Sequence, residues 1–121
     1  LGTDGAASNN SLDLRTEAKI ASIIQRHDHW DARILNPNET WNLATKGSTD
    51  WVTWDLDDIR MRPYGKNGRR LIANLIYSGT KCLDVFVNGE VLRRDGITQS
   101  LNEQKVALQL EHTITDYYSE I

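Results

Sequence analysis

Cysteine is all but missing from this chain: Cys82 stands alone among 121 residues. A lone thiol excludes an internal disulfide and any zinc centre built from several cysteines. Prolines number two and phenylalanine one, so turns and core must be built mainly from other residues. No apolar run approaches the ~18 residues a membrane-spanning helix needs. Residues 1–11 (LGTDGAASNNS) lack the basic start and apolar stretch of a secretory signal. They read as a frayed, flexible terminus extending to residue 12. Neither a Gly-rich phosphate loop nor a G-x-S-x-G nucleophile elbow occurs. These absences point to a soluble cytoplasmic protein without membrane contact.

What is present suits one globular domain over residues 13–121, since 26% charged and 39% apolar residues are ordinary proportions. Net charge is −3, which argues against a general nucleic-acid binder. The charge is segregated, however. Residues 50–58 carry four acids and no base, whereas 59–96 carry eight bases against three acids.

Asp13 can cap a helix running to about Trp30, with Ile20, Ile23, Ile24, His27 and Trp30 as its apolar stripe. Asn36-Pro37-Asn38 reads as a stop, and 39–50 as a loop pinned by Trp41 and Leu43. Strands are expected from Trp51, at 59–62, at 70–77 and at 82–87. Gly65 to Gly68 forms one hairpin turn, and Asn88-Gly89, a strong hairpin signal, forms another. The apolar run RLIANLIY suits a central strand covered on both faces. Ser100 and Glu103 can make a capping box for a last helix. Its stripe is Val106, Ala107, Leu110, Ile114, Tyr117 and Ile121.

The expected fold is therefore α+β: an N-terminal helix, a four- to five-stranded antiparallel meander and a C-terminal helix. Its core is expected to comprise Ile20, Ile23, Ile24, Trp54, Leu56, Leu71, Leu75, Val85, Val87, Leu110 and Ile114. Truncating a buried Ile24 or Leu110 to Ala should cost about 2–5 kcal/mol.

Three constellations carry functional weight. The stretch His27-Asp28-His29-Trp30-Asp31 resembles the metal-binding signature of the metallo-β-lactamase superfamily. That resemblance implies a metal on His27 and His29, a second on Asp31, and an activated water. Ala32 stands where the pattern has its next histidine, and a helix would turn residues two apart to different faces. No metal and no other cofactor is therefore expected. Second, segment 60–70 holds Arg60, Arg62, Tyr64, Lys66, Arg69 and Arg70 with no acid. Such a basic hairpin suits an anionic ligand or a nucleic-acid backbone, although Asp55, Asp57 and Asp58 lie close enough to neutralise it. Third, Trp51 and Trp54 fall on opposite faces of a regular strand, so one of them can wall a ligand pocket or an interface. Paired carboxylates at Asp57-Asp58 would point apart on a strand, and Cys82 has no activating neighbour in sequence.

The expected function is a non-enzymatic binding or interaction protein, self-associating as a two-fold homodimer or meeting a protein partner. One alternative is an anionic small-ligand pocket or small enzyme, with Arg60, Arg62, Tyr64, Lys66, Arg69, Arg70, Trp51 and Trp54 as ligand-binding residues. The other is nucleic-acid contact through hairpin 60–70. The homodimer rests on surplus apolar surface, chiefly from strand 70–77 and the two tryptophans.

Overall fold

The computed structural model describes residues 1–119. It is an α+β fold with four helices and a four-stranded antiparallel sheet, and a helix lies towards each end. The chain divides into two compact units: a helical unit of residues 1–48 and 55–81, and a sheet unit of 49–54 and 82–121.

In the helical unit, α1 spans Leu14–Asp28 and α2 Pro37–Thr45. Short 3-10 turns follow at Ile59–Met61 and Lys66–Gly68, and then α3 at Leu71–Tyr77. Asp13 caps α1 as expected, its carboxylate accepting from Arg15 N. The buried face of α1 is set by small residues, Ala18 and Ser22. Small side chains let neighbouring backbone approach, so the isoleucine stripe does not face the core: Ile20, Ile23 and Ile24 are about half exposed. The stop expected at Asn36 is instead a helix start. Asn36 Oδ1 accepts from Asn38 N and Glu39 N, Glu39 Oε2 accepts from Asn36 N, and Pro37 takes the first helical position. That is where a missing N–H does no harm. The loop expected at 39–50 is therefore largely helix.

The expected strand at 70–77 is α3. Its apolar residues also satisfy helical spacing, Leu71 with Leu75 and Ile72 with Ile76, and a run this short fits either period. Leu75 and Ile76 are buried, and the Asn74 side chain donates to Met61 O at 2.7 Å. The strand expected near 59–62 is a 3-10 turn that buries Met61 completely, and the hairpin expected at 65–68 is the other 3-10 turn.

The sheet unit keeps the meander. Strands β1 (Trp51–Trp54), β2 (Cys82–Val87), β3 (Glu90–Arg94) and β4 (Ile97–Thr98) lie in chain order, and each neighbouring pair is antiparallel. The β2–β3 turn uses Asn88 at φ 51° and Gly89 at φ 83°, the positive-φ pair its sequence announces. Trp51 pairs with Phe86 across β1–β2, and their rings stack at 3.6 Å. The last helix, α4, spans Glu103–Ser119. Asn102, not Ser100, provides its cap, accepting from Lys105 N at 2.9 Å. Glu103 is instead drawn to Thr98 and Arg93.

The core lies elsewhere than expected. Among the described residues the buried ones are Ala18, Ser22, Thr40, Met61, Leu75, Ile76 and Thr80, all in the helical unit. Of the expected set, Leu75 is buried. Trp54, Leu71, Val85 and Val87 are half-buried, while Ile20, Ile23, Ile24, Leu56, Leu110 and Ile114 are exposed. Ile121 lies outside the described residues.

Burial reverses the mutational expectation. Met61→Ala should cost about 2–5 kcal/mol by denaturant melting, because it leaves a cavity in the packed interior. Ile24→Ala, at a site 56% exposed, should stay within about 0.5 kcal/mol.

Candidate functional site

A polar cleft of about 210 Å³ lies where the first turns of α1 meet the C-terminal end of α3. Its lining includes Asp13, Arg15, Lys19, Arg60, Tyr77 and Thr80. The cations there are occupied. Arg15 donates to Asp13 Oδ2 at 2.8 Å and to Thr80 O at 2.7 Å, and Lys19 donates to Tyr77 O at 3.1 Å. Both therefore serve carbonyls at and just beyond the negative end of α3, which is a common station for bases. Arg60 is bound by Asp58 at 2.6 Å, and Thr80 Oγ1 donates to Asp55 O. A cleft of this size is below the roughly 300–1,000 Å³ of small-molecule pockets.

Electrostatics follow those pairs. The Arg60 side-chain hydrogen bond, helped by the Arg60 backbone N–H, holds Asp58 far below the usual carboxylate range. The Arg15 side chain lowers Asp13 in the same way, against some desolvation.

The basic segment 60–70 is not a hairpin, and its charge is partly spent. Arg62 meets Asp57 at 3.2 Å and lies 4.6 Å over the Tyr64 ring, whose hydroxyl it also reaches at 2.8 Å. Among the described residues Lys66, Arg69 and Arg70 form no salt bridge. Trp51 and Trp54 belong to the sheet unit, and the six residues from Arg60 to Arg70 to the helical unit.

The histidine motif sits where α1 ends. His29 is the C-cap residue, His27 packs its ring 5.7 Å from that of Trp30, and Arg33 takes Asp31 at 2.8 Å. His112 lies on α4 beside Asp116 at 2.9 Å. Among the described residues no three His, Cys, Asp or Glu side chains converge to hold a metal ion. These residues alone therefore do not fit a zinc centre.

Sequence reading passed over Asp4. It adopts φ 59° between Gly2 and Gly5, and Gly5 N donates to its Oδ1 at 2.7 Å. Residues 5–9 close a turn, Ser8 N and Asn9 N donating to Gly5 O, and Asn9 Nδ2 ties that turn to Glu17 on α1 at 2.6 Å. The remaining acids of the helical unit are mostly committed. Asp13, Asp31, Asp57 and Asp58 face arginines, Glu39 completes a capping box, and Asp55 accepts from Asp57 N. An aspartate directly before a glycine, in a Gly-Thr-Asp-Gly run, was the available signal.

No family model matches the chain. Curated relatives are nonetheless similar over most of it. The 5-methylthioadenosine/S-adenosylhomocysteine deaminase 1 of Archaeoglobus fulgidus is 34% identical over 118 residues, 86% of this chain and 28% of that protein. A 5'-deoxyadenosine deaminase of Methanocaldococcus jannaschii is 28% identical over 119 residues, 88% of this chain and 28% of its own length. The chain thus spans between a quarter and a third of the relatives it matches. Among solved structures, an adenosine deaminase from Xanthomonas campestris with bound zinc shares the fold at a TM-score of 0.80 and 23% identity. The likeness covers 99% of this chain and 31% of that one.

These likenesses overturn the expected non-enzymatic binding protein, because the similar proteins are deaminases. The likenesses point to an enzyme, the class that the small-enzyme alternative had named. No helix among the described residues is long and apolar enough to cross a membrane.

The lowered carboxyls fix the sign of a pH effect. A group whose pKa falls on folding adds stability above its unfolded value and loses it as pH drops towards the folded value. Thermal melts of the chain should therefore weaken between about pH 5 and pH 1. Replacing Asp13 and Asp58 by Asn should flatten that acid limb.

Proposed function

We propose that this chain is one part of a larger deaminase that removes the amino group of an adenosine-like nucleoside by hydrolysis. The observation that carries the reading is the 34% identity over 118 residues to the Archaeoglobus fulgidus deaminase. In such a reaction water adds at the amino-bearing ring carbon, a carbon–oxygen bond replaces the carbon–nitrogen bond, and ammonia leaves. The 210 Å³ cleft by itself is too small to hold a nucleoside, and the proposal draws the substrate pocket largely from the part of the relatives' length that this chain does not match. Any zinc would likewise take most of its ligands from there, since the described residues offer no converging set.

Asp4 is the carboxylate this chain contributes to the reaction centre. Its Oδ1 is oriented by a backbone N–H, and no arginine or lysine pairs with it among the described residues. An acid held in place yet uncommitted is what proton transfer requires. Cytoplasm is the compartment proposed, on the lone Cys82. A two-fold homodimer is the proposed assembly. Strand 70–77 no longer supplies its apolar surface, but Trp30 and Ile59, 89% and 84% exposed, do. Static light scattering tests this, a strictly monomeric mass counting against it.

The decisive assay is ammonia release by the full-length protein from adenosine, 5'-deoxyadenosine, 5'-methylthioadenosine and S-adenosylhomocysteine. Turnover of at least one is expected, and turnover of none overturns the reading. Asp4→Asn should lower kcat by about 100-fold or more with an unchanged melting temperature. Asp28→Asn, at the end of α1, should leave kcat near wild type. The 121-residue chain alone should release no ammonia.

A further inference from the structure

The last helix has no buried residue among its described positions, yet it carries an apolar stripe. Val106, Leu110, Ile114 and Tyr117 recur at spacings of four, four and three, and are 39%, 59%, 56% and 64% exposed. That spacing keeps all four on one side of the helix. A 17-residue helix is only marginally stable in water by itself, and helices in proteins draw most of their stability from packing such a face. Four large side chains in a row also make an apolar patch larger than scattered surface residues do.

We propose that this stripe docks against another part of the same polypeptide, outside these 121 residues. The inference rests on the reading above that the chain belongs to a longer protein. A second copy of the chain is the rival occupant, and the solved neighbour favours the first. The fold of 99% of this chain recurs there within a polypeptide more than three times as long. Ample chain is therefore present in one molecule to supply the cover. Two acids of the helix, Glu103 and Asp116, are already paired with Arg93 and His112, so the apolar stripe is what this face offers a partner. The covering surface is accordingly apolar.

Hydrogen exchange on the full-length protein, with its mass followed by light scattering across a dilution series, tests this. Amides of residues 106–117 should exchange at least about 100-fold more slowly than in an unstructured peptide, and equally so at every dilution. Protection that fades as the protein is diluted assigns the stripe to a second copy and overturns the proposal. Exchange at free-peptide rates in the full-length protein overturns it as well. An intact native mass of 13.8 kDa would remove the proposed occupant and sink both this proposal and the larger-enzyme reading. Dilution-independent protection without any ammonia release would sink only the deaminase chemistry. Leu110→Lys with Ile114→Lys should abolish the protection, while Leu108→Lys, on the opposite side of α4, should not.

Discussion

A single buried hydroxyl holds the helical unit together. Ser22 Oγ, fully inaccessible on α1, meets Leu35 O at 3.1 Å and the Tyr77 hydroxyl on α3 at 2.7 Å. Leu35 O also accepts from Thr40 Oγ1 on α2 and from the Arg26 guanidinium. Three helices and the turn before α2 therefore converge on one carbonyl and one serine. Buried polar groups cost free energy unless every one finds a partner, so this junction fixes relative positions more strictly than apolar contact does. It also explains the face that α1 turns inward. Ala18 and Ser22 are small enough for the close approach that these bonds demand, and the isoleucines are left aside.

That choice marks the boundary of what the sequence discloses. The Asn88-Gly89 turn and the Asp13 cap are local, each written in two to four adjacent residues, and the α+β class follows from the succession of such short signals. The identity of the core is not local. A stripe rule weighs side-chain size, and here Ser22, Thr40 and Thr80 are buried because their hydroxyls are satisfied across the fold. Segment 71–77 is a genuine ambiguity, since four aliphatics in seven residues satisfy both periods. Asn74, bonded to Met61 O and Pro63 O, is what helical geometry places correctly, and nothing in the local sequence announces those partners.

The site was legible to a lesser degree for a related reason. Arg60 and Arg62 stood out by charge, yet charge density near Asp57 and Asp58 resolves into pairs within the same short segment. Asp4 drew no notice because one aspartate among small polar residues looks like solvent-facing chain. Its distinction is relational: most other acids of the helical unit are matched with arginines, caps or turns, and Asp4 is not. The relatives it matches are more than three times the matched length, so motifs found elsewhere in those proteins have no counterpart here to read.

The edge of the sheet carries a practical consequence. Strand β1 lies at the border of the sheet and reads Trp-Val-Thr-Trp, without a charge or a proline. Natural edge strands are usually blunted by lysines, prolines or bulges. Here one register shift between Val52 and Trp54 is the only such device the strand shows. Produced as a free fragment, the segment would present a ready template for strand-to-strand stacking between molecules. Fibrillar precipitate rather than a dispersed solution is then the hazard in recombinant work. During ribosomal synthesis the same border would call for prompt shielding, by a chaperone or by whatever part of the protein comes to lie against it.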